Sequence, residues 1–382
     1  MLALEALRAK HGDAFILHFG SAEEPRLAVI DGGPPGVYVD ALQPRLQQIR
    51  EERRLAATAP LEIEWMMVSH IDADHIAGLL QMVRAIRDMQ EAKKAVPWKI
   101  CRCWHNSFDD LLGNQDASLA SGASVMSPAS IGDLLRQEGS LVLASVGQGR
   151  ELRRLLAALD LANNPPFKGL VTAGHSPIRV GDLELMVVAP SKAHLAALQE
   201  DWDEKIQPML KKEKDQAGRA AIASYVDTSV YNLSSMVVLV EADAKRILLT
   251  GDGRGDHTLA GLDASGLLDR DGKIEVDILK VPHHGSDRDV KLDYFQRIVA
   301  KHYVISADGR YDNPDVDTLQ MISAARPDDA FTIHFTYPLD EFHVPKVGSD
   351  IAAFFAGEKA AGRKYGIETR AAADLSLTIA LA

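Results

Sequence analysis

The chain has 382 residues, 46% of them hydrophobic and 25% charged, with 28 glycines and 17 prolines spread along it. At roughly 150 residues per domain, this length allows two or three domains or one large core carrying insertions, and the composition excludes a disordered or fibrous chain. The 42 basic against 54 acidic residues give a net charge of −12, which excludes indiscriminate adhesion to nucleic acid or anionic membrane and requires any nucleic-acid substrate to be drawn by a local basic groove or a bound metal.

At the N-terminus, Glu5, Arg8 and Lys10 stand where a signal peptide would be apolar, and no apolar run approaches the roughly 20 residues of a membrane span. A cytoplasmic protein with no membrane partner is expected. Phe15 to Phe19 and Leu27 to Ile30 read as strands, Val39 to Leu55 as a basic amphipathic helix, Glu64 to Ser69 as a buried strand and Ile76 to Lys94 as a second helix. Lys99 to His105 alternates as one strand, which would set Cys101, Cys103 and His105 on a common face. Two buried sulfurs beneath a loop histidine are commoner there than a zinc site, and two such close cysteines make no disulfide scaffold. Ser107 to Gly149 is polar and rich in serine and glycine, with few strand signals. Strand patterns resume at Ile178 to Val188, Ser234 to Glu241, Arg246 to Thr250, Val276 to Val281 and Tyr303 to Ser306. Between Ser191 and Tyr225 lies a charged helical stretch whose KKEKD run, Lys211 to Asp215, reads as a solvated helix face. Strands alternating with helices, without internal repeats, predict a mixed α/β protein.

The chemistry concentrates at strand ends. In MMVSHIDADHIAGL an apolar strand ends at Ser69, and His70, Asp72, Asp74 and His75 follow before a helix. Imidazole and carboxylate are good donors for Zn²⁺ or Mn²⁺, and a loop can aim several at one point. The plainer alternative is a capped helix start with Asp72 or Asp74 as N-cap. Two later stretches repeat the pattern: RILLTGDGRGDH presents Asp252 after a strand, and ILKVPHHGSDRD presents His283 and His284. The glycines Gly251, Gly253 and Gly255 fail as a dinucleotide loop because Asp256 stands where the third glycine belongs, and GQGREL fails at Leu152. With no phosphate-binding GxxxxGK[ST] loop and no GxSxG elbow, water activated by metal is the expected nucleophile.

These motifs resemble those of the metallo-β-lactamase superfamily. The resemblance implies an αβ/βα sandwich over residues 1–382 as a single domain, with insertions at 107–175 and 191–228 and two divalent ions, zinc or manganese, at the sheet edge. The superfamily's His-x-His-x-Asp-His is matched by His70, Asp72, Asp74 and His75, its first motif by LAVIDGG with Asp31 buttressing the site, its fourth by Asp252 and its fifth by His283 or His284. GDAFIL, SHIDADHIAGL, NLSSMVVLVE, LLTGDG, KVPHHGS and YVISADGRYDNPDVDTL resemble more narrowly the hydrolase domain of competence-type DNA-uptake proteins and their free-standing relatives. The third-motif histidine is missing after LELMVVAP, where Ser191 stands before a more distant His194, so a harder, oxygen-rich first metal position of His70, Asp72 and Asp252 is implied. The second position would hold Asp74, His75, Asp252 and His283 or His284. His105 and His175 are further candidates for the missing ligand, and His175 or His343 for protonating a leaving group.

The resemblance implies a metal-dependent hydrolase, with Asp74 both ligand and water-orienter, cleaving a phosphodiester in a nucleotide or nucleic acid. The alternatives are hydrolysis of a carboxylic ester, thioester or lactone, or a degenerate domain that binds a ligand or partner without turnover, since fold alone leaves the substrate open. Two basic groups, Arg45, Arg50, Arg53 and Arg54, and Arg84, Arg87, Lys93 and Lys94, read as outer helix faces.

Overall fold

The computed structural model describes residues 1–107, 111, 140–161, 164–201, 204 and 234–381. Two sheets dominate. The first runs in the order β16-β1-β2-β3-β5-β7, formed by β1 (Leu2–Leu7), β2 (Phe15–Gly20), β3 (Pro25–Ile30), β5 (Trp65–Val68), β7 (Cys103–His105) and β16 (Ser376–Leu381). It is antiparallel from β16 to β3 and parallel from β3 to β7. The second runs β15-β14-β13-β12-β11-β10-β9-β8, formed by β8 (Ile178–Val180), β9 (Leu183–Ala189), β10 (Val237–Ala242), β11 (Lys245–Leu249), β12 (Ile274–Lys280), β13 (Ile298–Ile305), β14 (Thr332–Phe335) and β15 (Gly366–Thr369). Its strands β11 to β15 are parallel and β8 to β11 antiparallel. A short ribbon pairs β4 (Leu61–Ile63) with β6 (Trp98–Ile100).

Period-2 alternation decides the layers. Leu2, Leu4 and Ala6 of β1, and Phe15, Leu17 and Phe19 of β2, face Leu183, Leu185, Val238 and Ile247 of the second sheet in one shared core. The alternate residues Leu7, Ile16, Leu27 and Val29 face away, against α1 (Gln43–Glu52), α2 (Ala73–Glu91) and α3 (Ser140–Ala158). On the far side, Leu239, Leu279, Tyr303 and Phe335 pack against α5 (Gly255–Ala264), α6 (Leu292–Arg297), α7 (Val316–Ala325) and α8 (Pro345–Ala360). Three cores between four layers make the αβ/βα sandwich. A ten-residue helix, α4 (Lys192–Asp201), follows β9. Among the described residues no helix is long and apolar enough to cross a membrane.

Several elements depart from the sequence reading. Lys99 to His105 is not one strand. It breaks at Cys101 and Arg102 as the chain jogs from the ribbon into the first sheet, alongside the matching break at Glu64, with Met66 N–H donating to Arg102 O. Cys101 is therefore exposed while Cys103 is buried. Ile178 to Val188 is a hairpin, turned at Gly181 with φ +58°, a conformation open to glycine. The polar stretch from Ser107 ends in α3, whose Leu152 and Leu156 enter the core. KKEKD, and most of residues 107–139 and 202–233, lie outside the described residues.

The basic helix faces are largely committed within the molecule. Arg50 is buried and donates to the carbonyls of Ala56, Ala59 and Pro97. Arg84 pairs with Glu151, and Arg87 with Glu91. Arg45 reaches Glu5, a carboxylate buried in β1 that also accepts from His18 of β2 and Ser376 of β16. Burial alone would raise the Glu5 carboxyl, but these hydrogen bonds and the Arg45 charge hold it at about 2. A carboxyl depressed in the folded chain stabilises above its unfolded value and loses that contribution as pH falls. Glu5→Gln should therefore destabilise the protein at pH 7 by roughly 3 kcal/mol. Urea unfolding across pH should show the deficit shrinking from about pH 4.5 down to about pH 2.

Candidate metal centre

The loops that carry the candidate residues leave both sheets at one edge. β3 ends at Ile30 and is followed by Asp31; β5 ends at Val68 and leads through Ser69 and His70 into α2. β11 leads to Asp252, and β12 leads through Pro282 to His283 and His284. The sheets touch here: Met236 N–H donates to Ser69 O, and a Cβ on Gly251, whose φ is +49°, would lie 2.5 Å from Ser235 Oγ. Only glycine lets that turn close. Gly12 is constrained as well, since its Cβ would lie 2.0 Å from the Asp74 carbonyl oxygen. This contact presses the β1–β2 loop, and with it Asp13, against the start of α2.

His75 and His284 lie at the centre. Behind His75, Nδ1 donates to Asp31 Oδ2 at 2.9 Å, while Asp31 is itself fixed by the Ser69 N–H at 2.7 Å and the Ser69 hydroxyl at 2.6 Å. Behind His284, Nδ1 faces the Ser306 carbonyl at 3.0 Å and Asp13 Oδ1 at 3.2 Å. With the Nδ1 hydrogens directed backwards, both Nε2 atoms present lone pairs forward, only 3.3 Å apart. Asp252 Oδ1 lies 3.3 Å from His75 Nε2, Asp74 Oδ2 lies 3.3 Å from His284 Nε2, and Asp74 Oδ1 lies 3.8 Å from His75 Nε2. Asp74 Oδ1 and Asp252 Oδ1 are buried atoms without a hydrogen-bond partner.

Such a ring of facing acceptors needs positive charge between its members, from a metal ion or from protons on the imidazoles. Its edges match the roughly 3.4 Å separating ligands on a tetrahedral ion bound at about 2.1 Å. Donor chemistry and spacing therefore fit a divalent metal held by Asp74, His75, Asp252 and His284. The ligand atoms of Asp13, His75, Asp252 and His284, and those of His70, Asp74 and His75, also fall within 4.8 Å of one another.

The electrostatics show a negative potential that a cation, whether protons on the imidazoles or a metal ion, would answer. Burial would lower His75 and His284, yet the surrounding carboxylates, Asp252 foremost, raise both well above the usual imidazole range. Burial would raise Asp252 and Asp74, but the histidines bring both below the usual carboxylate range. His70 falls to about 3, through burial and the adjacent His75, and so is a neutral donor at pH 7. Its Nε2 lies 3.8 Å from Asp252 Oδ2.

Asp72 is the N-cap of α2, its Oδ1 accepting from Ala73 N–H at 2.6 Å. Burial and the neighbouring Asp74 lift its carboxyl to about 7. His283 stands at the rim, 28% exposed, with Nε2 3.9 Å from Asp252 and Nδ1 3.2 Å from Asp289. The left-handed backbone of both histidines, φ +51° and +55°, splays the two rings apart. His175 is exposed, facing Thr172 and the ring of Phe167. His105 is buried against the Gly149 carbonyl, and His194 stacks on His257 at 3.7 Å. His343 is exposed. Ser191 caps the following helix by accepting from His194 N–H.

Sequence reasoning missed Asp13 and Lys280, both 1% exposed and in contact at the base of the cluster. Their signal was present in GDAFIL and ILKVPHHGS: a charged residue beside an apolar strand in each of two stretches already singled out.

No family model and no curated protein sequence matches the chain. Among solved structures it is similar to a protein of Parabacteroides distasonis assigned as a metal-dependent hydrolase, at 8% identity and TM-score 0.36, over 87% of this chain and 92% of that one. It is also similar to zinc-bound PqqB of Methylobacterium extorquens, at 10% identity and TM-score 0.38, over 99% of this chain and all of the other, 100%. The layer order rests on strand pairing and the three cores, independently of these similarities.

Asp31→Asn tests the orienting role. Asparagine tolerates the φ of +56° at this position, but its single acceptor oxygen cannot serve three donors. Zinc affinity, measured by competition with a chromogenic chelator, should fall by roughly 10- to 100-fold in a protein whose circular dichroism is unchanged.

Proposed function

We propose that the chain is a metal-dependent hydrolase that cleaves a phosphodiester in a nucleotide or nucleic acid. The observation that carries the hydrolase reading is the convergence of His75 Nε2, His284 Nε2, Asp74 and Asp252 around one point at the open edge of the sandwich. Asp74, His75, Asp252 and His284 would hold one ion. Asp252, with His70 3.8 Å and His283 3.9 Å from its carboxylate, would hold a second ion. A bound zinc or manganese supplies a Lewis acid that lowers the pKa of water and polarises the attacked group.

Asp74 would be the protein group nearest that water. Its side chain is 18% exposed, against 6% for Asp252 and 0% for His75, so Asp74 alone of the three reaches toward solvent. From the first turn of α2, where the helix dipole favours an anion, its carboxylate would hold the ion and orient the attacking water. His75 and Asp252 keep the geometry fixed through Asp31 and through Ser235, whose hydroxyl accepts from Asp252 N–H at 3.0 Å.

The phosphodiester assignment draws on the resemblance of GDAFIL, LLTGDG and KVPHHGS to the hydrolase domain of competence-type DNA-uptake proteins. Carboxylate ligands also suit hard cations, which phosphate oxygens prefer. With Arg45, Arg50, Arg84 and Arg87 engaged inside the molecule and a net charge of −12, a short nucleotide is favoured over a long duplex, which needs a basic track.

Metal-stripped protein re-supplied with Mn²⁺ or Zn²⁺ should hydrolyse bis(p-nitrophenyl) phosphate, and Asp74→Ala should lower the rate by at least about 100-fold. Turnover of p-nitrophenyl acetate with none of the phosphodiester, under the same metal loading, would replace this reading with the ester-cleaving one.

A further inference from the structure

Lys280, the last residue of β12, is buried at 1% exposure, a state lysine occupies only with a partner. Its ammonium donates to the Gly251 carbonyl at 2.8 Å, contacts Asp13 Oδ2 at 2.5 Å and lies 3.6 Å from Asp252 Oδ1. The ammonium thus sits among three oxygens, closest to those of Asp13 and Gly251. Asp13 in turn reaches the back of the histidine pair, with Oδ1 3.2 Å from His284 Nδ1 and Oδ2 3.8 Å from His75 Nδ1.

Each imidazole has two nitrogens, so the pair offers a metal two faces. Forward lie the Nε2 atoms with Asp74 and Asp252. Behind lie the Nδ1 atoms with Asp13, whose carboxylate is near enough to Asp252, His75 and His284 to complete a ligand set. What distinguishes the faces is Lys280, a cation already seated on the rear carboxylate.

We propose that Lys280 is a resident cation of the centre. It reserves Asp13 as the acceptor that turns His284, and keeps that carboxylate out of the coordination sphere, so that metal enters on the Nε2 side alone. Lys280 and Asp13 are then positioning residues for the metal. This inference rests on the metal-centre reading above and adds a rule for which carboxylates bind.

The test is the number of zinc equivalents retained per chain after gel filtration, together with the visible spectrum of the Co²⁺-loaded protein. Wild type and Lys280→Arg should share one stoichiometry and one spectrum. Lys280→Met frees Asp13, so it should retain one further equivalent and show a weaker, blue-shifted cobalt band from added oxygen ligation; the double variant Lys280→Met/Asp13→Asn should return to the wild-type number. A folded Lys280→Met protein with unchanged stoichiometry and cobalt band overturns the proposal. Should Lys280→Met fail to fold, Asp13→Asn decides: its amide no longer anchors the ammonium, which then competes at Asp252, and zinc affinity should drop at least tenfold. Unchanged affinity in that variant overturns the proposal too. A wild-type chain that retains no zinc or cobalt removes the metal-centre reading itself, and this inference with it.

Discussion

Two imidazole rings, each turned by an acceptor behind it, set the terms for the rest of the molecule. Asp31 holds His75, while Ser306 O and Asp13 hold His284, and the outcome is a pair of Nε2 lone pairs facing two carboxylates across little more than 3 Å. No arrangement of neutral protein groups makes that stable; a cation does. Nearly everything at this edge serves the arrangement. Gly251 and Gly12 permit backbone approaches that a Cβ would block, Ser69 holds the Asp31 carboxylate and Ser235 the Asp252 backbone N–H by hydrogen bonds, and the left-handed backbone at His283 and His284 sends one ring inward and leaves the other at the rim.

The sandwich is what makes the arrangement affordable. Asp13, Asp31 and Asp252 are buried beside His70, His75 and His284, and breaking one charge pair in such a place costs about 3–5 kcal/mol. The site sits where the C-terminal ends of parallel strands from both sheets meet, so the backbone there is already turning and can point several side chains at one spot. Three apolar cores, one between the sheets and one on each outer face, supply rigid walls that keep those turns from relaxing.

Much of this was legible in the sequence, and the exceptions have physical reasons. The strand-to-loop steps at Ser69, Thr250 and Val281 announce themselves because an apolar run ends abruptly in His, Asp and Gly. β1 does not, because LALEAL is made of good helix formers and becomes a strand only through pairing with β2 and β16. The single strand expected over Lys99 to His105 fails because alternation continues across Arg102 while the hydrogen-bond partner changes from β4 to β5. Asp72 illustrates the limit of motif spacing: an aspartate before a helix serves equally as ligand or cap, and here its oxygen accepts from Ala73 N–H. Asp13 and Lys280 escaped because burial, not residue type, marks them. A lone lysine at a strand end reads as solvent-facing until tertiary contacts enclose it.

Whether a metal occupies the Nε2 face of His75 and His284 decides the nature of this edge. Crystals of the chain grown with zinc, with data collected at the zinc absorption edge, measure this directly. An anomalous peak is expected about 2.0–2.2 Å from both Nε2 atoms and from carboxylate oxygens of Asp74 and Asp252, with Asp13 still on Lys280. Protonated imidazoles paired with those carboxylates, and no anomalous peak between them, would contradict a metal centre.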